Sequence, residues 1–177
     1  MTEPPTAAPN DEVGSSFDAV VEAMNNAIIL VTTRAEPGDR SGCLVGFATQ
    51  CSINPRRYLV CISNKNHTCA VARRAEHLAV HVIPPAAMDL ARLFGEETGD
   101  EVDKFARCEW SEGPFGVPVL AGASGWFVGR IAERVELGDH IGHVLDIEAA
   151  SEAPAPAAVG DVLHVQAVMG FHPGHEA

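Results

Sequence analysis

The order of strand-like and turn-like segments is the feature that most constrains this chain. Runs rich in β-branched residues occupy positions 27–33, 43–52, 57–63, 78–83, 124–137, 140–149 and 162–169. Between them stand punctuation clusters: Glu36-Pro37-Gly38-Asp39-Arg40-Ser41-Gly42, Asn54-Pro55, Pro84-Pro85 and Gly138-Asp139. Helical periodicity is confined to residues 16–26, 68–75 and 86–94. In the first of these, Phe17, Val20, Val21 and Met24 recur at i, i+3, i+4 and i+7 behind Ser15 or Ser16 as a cap. Strands outnumber helices and do not alternate with them, so a doubly wound parallel sheet is not expected. The pattern predicts a mainly β fold, an antiparallel β-barrel with a few helices. At 177 residues and 46% hydrophobic composition, one domain suffices to bury a core. Residues 1–14 read as a disordered tail, 15–172 as the domain and 173–177 as a second tail. Residues 95–118, full of Gly and Pro, read as a long excursion, and 153–158 as a Pro-Ala connector.

Charge narrows the partners. Twelve Lys and Arg face 24 Asp and Glu, for a formal net charge of -12. This argues against nucleic acid, whose phosphates need clustered cations, and against an anionic membrane surface. All twelve basic residues lie between Arg34 and Arg134, so an anion site is expected within that stretch. No basic-then-apolar leader opens the sequence, and no apolar run approaches a membrane span. A cytoplasmic location is expected.

Conventional catalytic signatures are missing. The five cysteines, at 43, 51, 61, 69 and 108, contain no CxxC pair and read as free thiols in a reducing compartment. His77 and His81 lie four apart in a strand-like run. His140 and His143 lie three apart and would face opposite sides of a strand, so no metal is expected. There is no GxGxxG after a strand and no phosphate-binding P-loop. Gly122-Ala123-Ser124-Gly125-Trp126 lacks the last glycine of a nucleophile elbow.

Several segments, in order, resemble one family. Residues 41–55, Ser-Gly-Cys-Leu-Val-Gly-Phe-Ala-Thr-Gln-Cys-Ser-Ile-Asn-Pro, are similar to the "GMTANSFTSVSLDPP"-like segment of the flavin reductase-like proteins, with Gly42, Thr49, Ser52 and Pro55 at matching positions. Residues 58–68 resemble the family's second flavin segment, and residues 78–83 its "FAVNVL" strand. Asp103-Lys104-Phe105 resembles its "DKF" element, and Gly138-Asp139-His140 matches its "GDH" turn. The departures are Leu44-Val45-Gly46-Phe47 in place of "TANS", Arg56 in place of a second proline, and a loosely met closing motif at Gly170-Phe171-His172.

The resemblance implies an FMN-binding split barrel of Greek-key antiparallel strands, usually a homodimer. It also implies an NAD(P)H:flavin oxidoreductase that supplies reduced flavin to a partner monooxygenase. FMN is the implied cofactor, with FAD as the alternative, and NADH or NADPH the co-substrate. Val45, Gly46, Phe47, Ala48, Thr49 and Ser52 would lie along the flavin ring. Ser63, Lys65 and Thr68 would hold its phosphate, Thr68 from a helix N-terminus. His140 is the implied catalytic residue, orienting or polarising the nicotinamide, with Phe105 and Phe171 as candidates to shape that side. Hydride transfer between two cofactors needs no protein nucleophile, which accounts for the missing signatures. A flavin-binding electron carrier without nicotinamide turnover and a non-flavin module on the same barrel remain as alternatives.

Overall fold

The computed structural model describes residues 11–152 and 161–174. Most of the expected N-terminal tail, the connector at 153–158 and the end of the C-terminal tail lie outside the described residues.

Among the described residues nine strands form two sheets. The large one holds β1 (Ile29–Glu36), β2 (Asp39–Val45), β3 (Ala48–Ser52), β4 (Arg57–Ser63), β5 (His77–Val82), β8 (Gly125–Glu136) and β9 (His140–Ala150). Their order is β2-β1-β5-β8-β9-β4-β3, and every neighbouring pair is antiparallel. The small sheet pairs β6 (Trp110–Glu112) with β7 (Pro118–Leu120), so the excursion at 95–118 carries a hairpin of its own. Among the helices, α1 spans Asp11–Met24, α2 His67–Ala72, α3 Met88–Glu96 and α4 Val165–Val168.

Alternation explains how the large sheet curls. One face of each strand carries the residues of a single cluster: Val31 from β1, Cys43 and Val45 from β2, Val60 and Ile62 from β4, Leu78 and Val80 from β5, and Ile141 and Leu145 from β9. Strands from both ends of the order meet in that cluster, which closes the sheet into a half-barrel around it. A second cluster, with Leu30, Ile83, Phe94 and Leu163, packs α3 against the outside of β1 and β2. There β2 comes so close that Gly42 is required. A Cβ on it would lie 2.7 Å from Val31 O and 2.8 Å from the Phe94 ring. Lys104, almost fully buried, braces the same place by donating to Gly42 O at 3.2 Å and Phe94 O at 3.3 Å.

Three expectations are corrected. The run 43–52 is not one strand, because the chain bends at Gly46-Phe47 and passes from β2, beside β1, to β3, beside β4. The run 162–169 is not a strand. Leu163 exchanges only single backbone bonds with Ile28 and Ile83, and the chain then turns into α4. Helix α1 begins at Asp11, inside the segment read as tail. Helix α2 is capped by Asn66, whose side chain accepts the Thr68 N–H at 2.8 Å, so Thr68 stands in the helix's first turn, at its N-terminus as expected.

Candidate active site

The bend at Gly46-Phe47 leaves a seam in the half-barrel. β3 starts at Ala48, opposite Val60, so β4 continues through Cys61–Ser63 with no β3 residue beside it. β2 is a sheet edge and faces this stretch. The last tie across is the Cys61 N–H donated to Phe47 O at 2.9 Å. Beyond it lies a cleft of about 260 Å³.

The cleft has apolar walls and a polar rim. Leu44 and Val45 stand on one side, Cys61 and Ile62 on the other, and Phe94 and Phe171 along α3 and the C-terminal segment. Ser63, Asn66 and His140 supply the polar groups. A Cβ on Gly46 would make only an ordinary contact, with Ile28 Cδ1 at 3.5 Å. Phe47, 58% exposed, lays its ring 5.1 Å from the His140 ring at a tilt of 55°. Ser63 and His140 are cross-strand partners on β4 and β9. His140 Nδ1 meets Asp139 Oδ1 at 2.7 Å, and that hydrogen bond holds the Asp139 carboxyl below the usual carboxylate value. The turn that presents both residues has Gly138 at φ +92° and is tied to β4 by the Asn64 N–H donated to Asp139 O at 2.9 Å.

The cleft thus gathers Val45, Gly46, Phe47, Ser63 and His140 from the expected site. The other five expected residues do not line it. Ala48 packs against the core cluster, and Thr49 bonds its own neighbour's carbonyl from the exposed side of β3. Ser52 lies at the far end of β3, opposite Arg57. Lys65 is exposed just past the rim. Thr68 is buried, with its hydroxyl 2.9 Å from Ser41 Oγ. Phe105 sits in the second core cluster. Sequence reasoning missed Cys61, Asn66 and Gly95. Strand alternation could have found Cys61, which shares a face with Ser63. No local signal marks Gly95, which reaches the cleft through the packing of α3.

The chemistry on offer is limited. Burial pushes the Cys43 thiol up to about 11 and raises Cys61 as well, so neither is a thiolate at neutral pH. Among the described residues no group of three or more His, Cys, Asp and Glu is placed to hold a metal. A larger cleft of about 340 Å³ beside β2 is lined by Asp100, Glu101 and Asp103 as well as Arg40 and Lys104, a mixed set without a dominant charge. The seam cleft, apolar-walled and polar-rimmed, suits a planar heteroaromatic ring.

Residues 21–167 match the model of the flavin reductase like domain. The chain belongs to that family. Family membership fits the antiparallel half-barrel. The chain is 30% identical over 130 residues to an NADH-dependent FMN reductase of Bradyrhizobium diazoefficiens, covering 73% of this chain and 71% of that one. It is 31% identical over 124 residues to the reductase component of 4-hydroxyphenylacetate 3-monooxygenase from Pseudomonas aeruginosa, covering 70% and 73%. Against the reductase subunit of stachydrine N-demethylase from Rhizobium meliloti, 27% identical, it spans 50% of the relative's length. Among solved structures, an NADH:FAD oxidoreductase of Streptomyces globisporus superposes with a TM-score of 0.74 at 22% identity, over 87% of this chain and 90% of that one, and supports the fold. An FMN-binding protein from Thermus thermophilus superposes with a TM-score of 0.68 at 28% identity, over 72% and 70%.

Proposed function

We propose that this chain is an NAD(P)H-dependent flavin reductase that binds FMN, with FAD as the alternative, in the cleft between β2 and β4. The observation that carries the reading is the convergence of the Gly46-Phe47 bend, Ser63 and His140 on one apolar-walled slot in a chain of this family. The residues fit a flavin. Leu44 and Val45 offer an apolar face, and Gly46 admits close approach of a ring to the backbone. The β2 edge offers main-chain groups for the ring's polar side. A cleft of about 260 Å³ takes a fused ring system and leaves the ribityl phosphate at the rim, by Ser63, Asn66 and the exposed Lys65.

Bound flavin would supply the hydride acceptor. This chain's residues bind and orient. Phe47 and His140 form the mouth, where a nicotinamide would enter, and the apolar walls keep water from the ring. Reduced flavin would pass to a partner monooxygenase, as the names of the reductase components among the relatives suggest. A homodimer in the cytoplasm is part of the same reading. Val13, Phe17, Val20 and Met24 of α1 are each about two-thirds exposed, which leaves an apolar helix face for a second copy to cover.

The test is anaerobic mixing of the protein with FMN and then NADH or NADPH, following the flavin absorbance. Rapid bleaching that His140→Ala slows at least tenfold supports the reading. A perturbed flavin spectrum that neither nucleotide bleaches would establish the carrier reading, which the apolar Leu44-Val45-Gly46-Phe47 segment favours.

A further inference from the structure

The contact between Asp139 and His140 has a direction. An ionised carboxylate only accepts hydrogen bonds, and this contact holds the Asp139 pKa below the usual carboxylate value, so the proton between the two belongs to His140 Nδ1. In a neutral imidazole the other nitrogen, Nε2, is then a bare acceptor. The rest of the ring is restrained as well. Phe47 packs on it at 5.1 Å, and the backbone that carries it is held by pairing with Ser63 and by the Leu137 N–H donated to His140 O at 2.9 Å. With Nδ1 turned to the exposed Asp139, the edge carrying Nε2 is the one left for the cleft that His140 lines.

We propose that Asp139 is a positioning residue that fixes His140 as the Nδ1–H tautomer, so that Nε2 meets the nicotinamide as an acceptor and selects its carboxamide over a carboxylate. The inference rests on the nicotinamide reading above. A carboxamide brings N–H donors to Nε2. A nicotinic acid ring brings only acceptor oxygens, and lone pair would face lone pair. A site whose acceptor is fixed in advance rejects a ligand lacking the donor, because the pair then loses the hydrogen bonds both had to water. No covalent step is involved. The other charged group with an electrostatic hold on Asp139 is Lys65, a lesser influence in the same direction as the His140 hydrogen bond.

The experiment uses the full chain saturated with oxidised FMN at pH 8.5. NAD+ and nicotinic acid adenine dinucleotide are titrated in, with the flavin spectrum as readout, so no turnover is needed. NAD+ should bind about tenfold more tightly, one good hydrogen bond's worth. Asp139→Ala should abolish the preference. Asp139→Asn, whose amide oxygen still accepts from Nδ1–H, should keep most of it. Ring 15N shifts of His140 should report Nδ1–H in the wild-type chain and a shift towards Nε2–H in Asp139→Ala. Equal binding of both dinucleotides, an unchanged preference in Asp139→Ala, or an Nε2–H ring in the wild-type chain would overturn the inference and leave the reductase reading intact. Failure of the wild-type chain to bind either dinucleotide would overturn both.

Discussion

Acid should unfold this protein by way of a histidine that never reaches solvent. His81, on β5, is fully buried. Its Nδ1 lies 3.1 Å from Leu30 O, and the Leu120 N–H is donated to its Nε2 at 3.2 Å. The ring therefore bridges β1 and β7 as the neutral Nδ1–H tautomer. Protonation would set N–H against N–H inside the core. Burial accordingly holds the group down to about 4, against 6.5 for a free histidine. The folded value lies below the unfolded one, so its stabilisation is complete above pH 6.5 and is lost as the pH falls towards 4. That span corresponds to roughly 3 kcal/mol, a large share of the ~5–15 kcal/mol that holds a typical domain together. The assay is urea unfolding between pH 7.5 and 4.5 of the wild-type chain and of His81→Gln. A glutamine amide can reproduce both hydrogen bonds without titrating. The variant should lose about one proton from the pH dependence, a factor of roughly ten in the unfolding constant per pH unit between 6 and 4.5. Equal slopes for the two proteins would refute the reasoning. The comparison between variants cancels the other histidines and carboxylates that titrate in the same window.

Three further outcomes follow from the packing. Gly42→Ala should lower stability by about 1–3 kcal/mol in thermal or urea unfolding, because its methyl would meet Val31 O and the Phe94 ring at under 3 Å. Lys104→Met should cost about 1–3 kcal/mol in the same assay by leaving Gly42 O and Phe94 O without the ammonium; no loss would mean that water or a rearranged donor replaces it. Thiol labelling of the native protein, mapped by mass spectrometry, should modify exposed Cys51 first and Cys43 only after unfolding, since Cys43 is buried and its thiol sits near 11.

The fold was legible where local pattern and tertiary role agree. β4, β8 and β9 stand where alternation and the Gly138-Asp139 turn place them, because each crosses the curled sheet with one face inside. The break at Gly46-Phe47 was not legible. The residues on both sides of it suit an extended chain, and only the exchange of strand partners from β1 to β4 makes the bend necessary. The segment 162–169 misled for a similar reason. Its Val-Leu-His-Val alternation is genuine in the short extended piece that bonds to Ile28 and Ile83, but no neighbouring edge is left to extend it. At the site, residues adjacent in sequence to the bend were found, whereas Gly95 arrives from a helix more than thirty positions away from the nearest of them and carries no mark of it. Lys65 and Thr68 were chosen for their chemistry; neither lines the cleft, Lys65 being exposed just past its rim and Thr68 buried with its hydroxyl on Ser41 Oγ.

The seam between β2 and Cys61–Ser63 gives the barrel an unusual relation to its ligand. A strand is missing there, and a flat ring with polar edges would take its place, seated between two backbones. The protein would then be knitted shut by what it carries. Amide exchange along Cys43–Gly46 should slow when the ring is in place, and a substitution that let β2 and β4 pair directly would give a tighter, more stable barrel with nowhere to put a cofactor.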